Sequence, residues 1–314
     1  MKFQVSLRGA LTGIKGTQYL IHRIKYCVPL ILLLLASPVD ANDTHALTIE
    51  DLNRAIAINP NSADAYYDRG ILFEKQGNVT KAISDFTQTI KINSQDVSAY
   101  YSRGNAYAQQ HHFTQAIADY NKVIEINPQD ATVYYNRGLT YDKQGNEPQA
   151  ISDFTQAIKI NPEYAESYHN RGLSLDKEGN STQAVVDISK SIELNPADAV
   201  AYYNRGIIED KQGKFIDAIN DFSKAIQLNP DYVQAYTNRG SVYVELDDFA
   251  QARFDFTIAI EMDPKLAQAY NNRAIVYFQL KQYTKAWEDL QKAIALRYAV
   301  DPRFIFMVKK ALDR

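Results

Sequence analysis

Cysteine is nearly absent from this chain: one in 314 residues, Cys27. A single thiol closes no intramolecular disulfide, so the fold must be held by packing. Long apolar runs are missing too. Val28–Ala36 is followed at once by Ser37-Pro38, well short of the about 20 residues that span a bilayer. There is no phosphate-cradling glycine-rich loop and no nucleophile elbow. The histidines beyond the first forty residues are His45, His111, His112 and His169. Adjacent His111 and His112 would point apart on a helix, and no other histidine or cysteine completes a metal spacing. These absences predict a non-catalytic protein with no cofactor and no metal.

What is present begins with an N-terminus of different composition. Residues 1–39 carry Lys2, Arg8, Lys15, Arg23 and Lys25 and no acid. A basic stretch, a short apolar stretch and a small residue at Ala41 predict a secretory signal peptide over 1–41, with an uncleaved signal anchor as the alternative. Either route predicts an exported chain, periplasmic or secreted, that meets a membrane only through this segment. Without it, 29 basic and 36 acidic residues remain, net −7. That balance argues against a nucleic-acid partner, which needs a basic stripe.

The rest of the chain is periodic. Gly70, Gly104, Gly138, Gly172, Gly206 and Gly240 recur every 34 residues, each behind an arginine, and Ala274 takes the seventh place. Within the unit 131–164, Tyr134, Gly138 and Tyr141 fall at helical spacing. So do Ala150, Ile151, Phe154, Ala157 and Ile158. Gly145-Asn146 suits a left-handed turn followed by a helix cap, Pro148 suits a first helical turn, and Asn161-Pro162 suits a helix end. Each unit therefore reads as an antiparallel helix pair, with Gly138 and Ala150 small where the helices cross. One pair leaves half its apolar surface uncovered, so neighbours must stack on it.

An aromatic, a glycine four residues later, then aromatic, alanine, aromatic, alanine and proline at these intervals resemble the tetratricopeptide repeat over about residues 47–300. The expected fold is all-α: an α-solenoid of helix-turn-helix repeats with a C-terminal capping helix, right-handed and with the first helices on the concave side, as the resemblance implies. The expected divisions are a half repeat or cap over 42–62, then repeats over 63–96, 97–130, 131–164, 165–198, 199–232, 233–266 and 267–300. A cap follows over 301–314, with Phe304, Met307, Val308 and Ala311 on its inner face. His111-His112, Asp247 and Lys281 replace the turn glycine, and Ser94 replaces a helix-ending proline. The turns there are expected to be strained or looser.

Two sets of polar residues recur with the period. Arg69, Arg103, Arg137, Arg171, Arg205, Arg239 and Arg273 precede the glycine position, where common members of the family are apolar. Asp85, Asp119, Asp153, Asp187, Asp221, Asp255 and Asp289 recur on the second helices. An unpaired buried charge costs several kcal/mol, so a structural Arg–Asp ladder is favoured over a cationic stripe facing a ligand. One residue before the arginine stand Asn136, Asn170, Asn204, Asn238 and Asn272, with Asp68 and Ser102 in the first two copies; one residue earlier lie Tyr67, Tyr101, Tyr135 and Tyr203, interrupted by His169 and followed by Thr237 and Asn271. In the family, asparagine at this place can bind the backbone of an extended peptide; bonding between neighbouring helices is the alternative for the asparagines, and partial packing for the tyrosines. Lysine and arginine are missing from the places where chaperone-binding members clamp a terminal carboxylate. The resemblance thus implies a scaffold or adaptor for a protein or peptide partner. A co-chaperone for envelope proteins and a regulatory subunit positioning a catalytic partner are the alternatives.

Overall fold

The computed structural model describes residues 47–313; the expected signal segment, with Cys27, and His45 lie outside them. Among the described residues there are sixteen helices and no strand. Helix α1 (Ile49–Ile58) comes first and unpaired in sequence. Three pairs follow: α2 (Ala63–Lys75) with α3 (Val79–Ile92), α4 (Val97–Gln109) with α5 (Phe113–Ile126), and α6 (Ala131–Gln144) with α7 (Glu147–Ile160). Next come α8 (Ala165–Lys177) with α9 (Ser181–Leu194) and α10 (Ala199–Lys211) with α11 (Phe215–Leu228). The last pairs are α12 (Val233–Glu245) with α13 (Phe249–Met262) and α14 (Ala267–Gln279) with α15 (Tyr283–Ala295), before α16 (Pro302–Leu312). Residues from Leu52 onward form one compact unit. Within it each helix from α2 onward packs on the next, and the first helices from α4 to α14 also touch their successors. The result is an all-α repeat solenoid.

The core is a line of small seams. Ala82, Phe86, Ala116, Tyr120, Ala150, Phe154, Ala184, Ile188, Ala218, Phe222, Ala252, Phe256, Ala286 and Leu290 are all buried to 1 % exposure or less. At the crossing, a methyl placed on Gly138 would lie 2.8 Å from the Phe154 ring, and one on Gly206 would lie 2.9 Å from that of Phe222. The glycine is therefore there to admit the aromatic of the second helix.

Turns keep one conformation whatever residue fills them. Gly77, Gly145, Gly179 and Gly213 have φ of +72° to +84°, and His111, Asp247 and Lys281 adopt φ of +60°, +56° and +58° at the equivalent places. Of the two expectations it is strain that these turns show: the three residues hold the left-handed conformation without glycine. Helix ends are likewise uniform. Asn93 accepts the N–H of Gln95 through Oδ1, as Asn161 does from Glu163 and Asp263 from Lys265, at 2.9–3.2 Å. This side-chain turn ends α3 without proline, so Ser94 changes nothing.

The last helix differs from expectation on one face. Asp301 caps it by accepting from the N–H of Arg303 at 2.8 Å. Val308 is fully buried and the Phe304 ring meets that of Phe278 edge-on at 5.6 Å. Met307, however, is 49 % exposed, beside Phe306 at 66 %. Half-buried Ile305 shares the inner face with Phe304 and Val308 instead: all five positions lie on neighbouring parts of one helical surface, and the helix docks with that surface turned toward 305 and away from 307.

Candidate functional site

Every recurrent arginine is used in the seams. Nε and Nη2 of Arg69, Arg103, Arg137, Arg171, Arg205, Arg239 and Arg273 donate to the two carboxylate oxygens of Asp85, Asp119, Asp153, Asp187, Asp221, Asp255 and Asp289. The fourteen bonds are 2.6–2.9 Å long. Each pair joins the two helices of one repeat, sixteen residues apart. The remaining nitrogen, Nη1, reaches sixteen residues back to the preceding second helix. Its acceptors are Asn53, Thr87, Asn121, Thr155, Ser189, Ser223 and Thr257. The guanidinium also lies 5.4–5.8 Å from the ring of the tyrosine three residues earlier, Tyr66 through Tyr270. One side chain thus ties three helices, its fork filled by a carboxylate and its face covered by a ring. Burial holds the Asp153 and Asp255 carboxyls above the ordinary carboxylate range even though Arg137 and Arg239 pull them down. Desolvation offsets much of the Coulomb gain, so the pairs select one register more than they add stability.

The seven Nη1 acceptors were not singled out from sequence. Their signal is a small hydroxyl or amide side chain repeated every 34 residues.

On the first helices, the asparagines and tyrosines meet one another. Asn136 Nδ2 donates to Tyr101 Oη at 2.7 Å, Asn170 to Tyr135 at 3.0 Å and Asn238 to Tyr203 at 3.0 Å. Asn204 Nδ2 lies 2.9 Å from His169 Nε2, so the imidazole takes the tyrosine's part. Asn272 instead reaches Ser241 Oγ at 3.4 Å, and Tyr67 Oη lies 3.3 Å from Ser102 Oγ. The asparagine nitrogens therefore join neighbouring first helices. The oxygens of Asn136, Asn170, Asn204 and Asn238 accept no hydrogen bond from the described residues, and these side chains are half-buried. A line of acceptors, about one per repeat, is left on this face.

His169 is only 8 % exposed. Burial lowers its affinity for a proton, against the pull of Asp198 at 3.8 Å. Two further tyrosines escaped the sequence reading. Tyr164 packs against Tyr135 with centroids 4.9 Å apart and the rings tilted by 38°, and Tyr232 against Tyr203 at 4.7 Å and 35°. Burial pushes the Tyr232 phenol up to about 12, so it stays protonated and neutral. Lys177 Nζ binds Asp142, and Lys211 Nζ binds Asp176 at 2.9 Å, each bridging to the previous repeat. Among the described residues no cluster of three or more His, Cys, Asp or Glu is placed to hold a metal, and no helix is long and apolar enough to cross a membrane.

A stack of helix pairs with polar and aromatic side chains on one tier is a protein–protein interaction scaffold. The sequence comparisons place it more narrowly. Models described as TPR repeat or tetratricopeptide repeat match residues 40–103, 112–145, 131–164, 154–186, 199–232 and 237–299. The chain belongs to the tetratricopeptide repeat family. It is similar in fold to a tetratricopeptide repeat protein from Parabacteroides merdae: TM-score 0.59, 20 % identity, 81 % of this chain and 99 % of that one. It is similar also to YrrB, a TPR protein with an unusual peptide-binding site: TM-score 0.52, 23 % identity, 60 % of this chain and 97 % of that one. MamA aligns at TM-score 0.51 and 26 % identity, over 55 % of this chain and 94 % of its own. No curated protein sequence matches the chain.

Proposed function

We propose that the chain captures an extended segment of a partner polypeptide across the first helices of repeats three to five. The supporting observation is the line of asparagine oxygens at Asn136, Asn170 and Asn204, each held in place by the bond its own nitrogen makes to the first helix of the preceding repeat. A fixed acceptor suits a backbone N–H, which every residue except proline offers. The packed pairs Tyr135–Tyr164 and Tyr203–Tyr232 flank that line and supply rigid apolar contact. Such a surface reads backbone and aromatic area with little demand on sequence. This modifies the expectation from sequence: the amide donor is already spent, so only the acceptor half of each asparagine is left for a ligand.

The partner is sought by affinity capture with the full chain, and binding of the captured segment is then measured by fluorescence anisotropy. Replacing Asn136, Asn170 and Asn204 together with alanine should weaken it at least tenfold. Undiminished affinity in a triple variant that keeps its helical circular dichroism would refute the reading. Export rests on the composition of residues 1–41 and is tested by sequencing the N-terminus of the mature chain; cleavage after Ala41 is the expected result.

A further inference from the structure

Repeat five breaks the pattern at one buried position. Glu209, on α10, stands where the other copies have Phe73, Tyr107, Tyr141, Leu175, Tyr243 and Tyr277. It is 8 % exposed, and its Oε2 has no hydrogen-bond partner. In other repeats a ring at this place covers the ladder arginine; Tyr107 lies 5.8 Å from Arg103 and Tyr277 lies 5.7 Å from Arg273. Lys81 and Lys285 in turn cover those rings in repeats one and seven, and Asp217 occupies the equivalent place in repeat five.

The charges around Glu209 do not balance. Its own helix supplies Arg205, and α11 supplies Asp217 and Asp221. Arg205 is already committed, through Nε and Nη2 to Asp221 at 2.6 and 2.7 Å and through Nη1 to uncharged Ser189 of α9 at 2.9 Å. Two buried carboxyl groups, Glu209 and Asp221, thus share one guanidinium, with exposed Asp217 adding to the negative side. The described residues offer no metal-holding cluster, which leaves a proton as the compensating charge. Asp217 is exposed to water, and Asp221 is held through both oxygens by Arg205, whereas Glu209 is buried with Oε2 unpartnered. The proton therefore belongs on Glu209.

We propose that repeat five carries a proton switch: Glu209 sits in the seam as a neutral acid, and its ionisation opens α10 from α11. Once charged, it competes with Asp221 for Arg205 and undoes the ties that Arg205 makes to α9 and α11. Burial, then the neighbouring Asp221, raises the Glu209 carboxyl from 4.5 to about 7, against the pull of Arg205. The folded state therefore holds the proton more tightly than the unfolded chain. The stabilisation is complete below about 4.5 and is lost as pH rises through about 7.

Hydrogen exchange of the full chain, corrected for the intrinsic pH dependence of amide exchange, tests this between pH 5.5 and 8. Opening of α10–α11 should become roughly tenfold more frequent relative to α6–α7 in the native sequence. It should stay level in Glu209→Gln, which keeps the shape without the charge, and in Glu209→Tyr, which restores the residue of other copies. Identical pH profiles for the native chain and Glu209→Gln would overturn the switch, as would an increase spread evenly over all repeats.

Discussion

The crossing of the two helices in each repeat makes a quantitative prediction at Gly138. A methyl there would sit 2.8, 2.9 and 3.2 Å from three carbons of the Phe154 ring. That ring is fully buried and held from the side by Tyr135, whose centroid is 5.8 Å away, so it cannot swing clear. Overpacking of this kind costs about 1–3 kcal/mol. Replacing glycine in a helix interior returns about 0.5–1 kcal/mol of backbone entropy. Gly138→Ala should therefore destabilise by a net of roughly 0.5–2 kcal/mol. The chain contains its own precedent for relief: in repeat seven Ala274 fills the glycine place, and the residue packed in its cluster is Leu290 in place of an aromatic. Phe154→Leu alone should cost about 1–2 kcal/mol through the space it leaves. The double variant should then be more stable than the sum of the two by about 1 kcal/mol or more. Urea unfolding of all four chains, followed by far-UV circular dichroism, measures the cycle. An additive result, or a Gly138→Ala chain more stable than the native one, would show that the glycine is not there to admit the ring.

Two further perturbations address the turns and the ladder. Lys281 holds φ at +58°, a conformation that costs an L residue about 1–2 kcal/mol, so Lys281→Gly should gain about 0.5–1 kcal/mol after the flexibility of the unfolded chain is deducted; a lower melting temperature would contradict the strain. Arg137→Met strands the buried Asp153 and should lose about 3–5 kcal/mol, whereas Arg137→Met with Asp153→Leu should recover most of that loss, and a double variant as unstable as the single one in the same titration would mean the pair is a true source of stability.

Much of this architecture can be read in the sequence because it is repeated. Seven glycine or alanine positions and the spacing of Tyr134, Phe154 and Ala157 specify helix pairs, since each residue type recurs where packing demands it. The Arg–Asp pairing is legible for the same reason: a charge present in every copy needs a counter-charge present in every copy. Direction is harder to read. Asn170 could offer its amide either to a ligand or to the first helix of the preceding repeat, and only the distance to Tyr135 Oη decides which. The exposure of Met307 is not legible because spacing defines the apolar stripe of a terminal helix, whereas the rotation that buries one edge of that stripe is set by docking on the last repeat. Turn conformation at His111 is not legible from its residue type because packing of the flanking helices overrides the local preference of a single residue.

The division of labour among the charged groups bears on recognition. All seven ladder arginines are filled by a carboxylate, a small polar acceptor and a ring, and Lys177 and Lys211 are spent on the repeat before them. The ion pairs of the ladder therefore act within each repeat, while the Nη1 bonds to neutral acceptors and the lysine bridges tie each repeat to the one before it, fixing their spacing. On the first helices of repeats three to five, the groups left over are fixed neutral acceptors and paired phenol rings. Neutral acceptors in a half-buried tier discriminate through geometry, because a ligand donor that misses by an ångström forfeits its bond with water and gains none with the protein. A rigid spacing is then what such a surface requires, and the ladder behind it supplies that spacing.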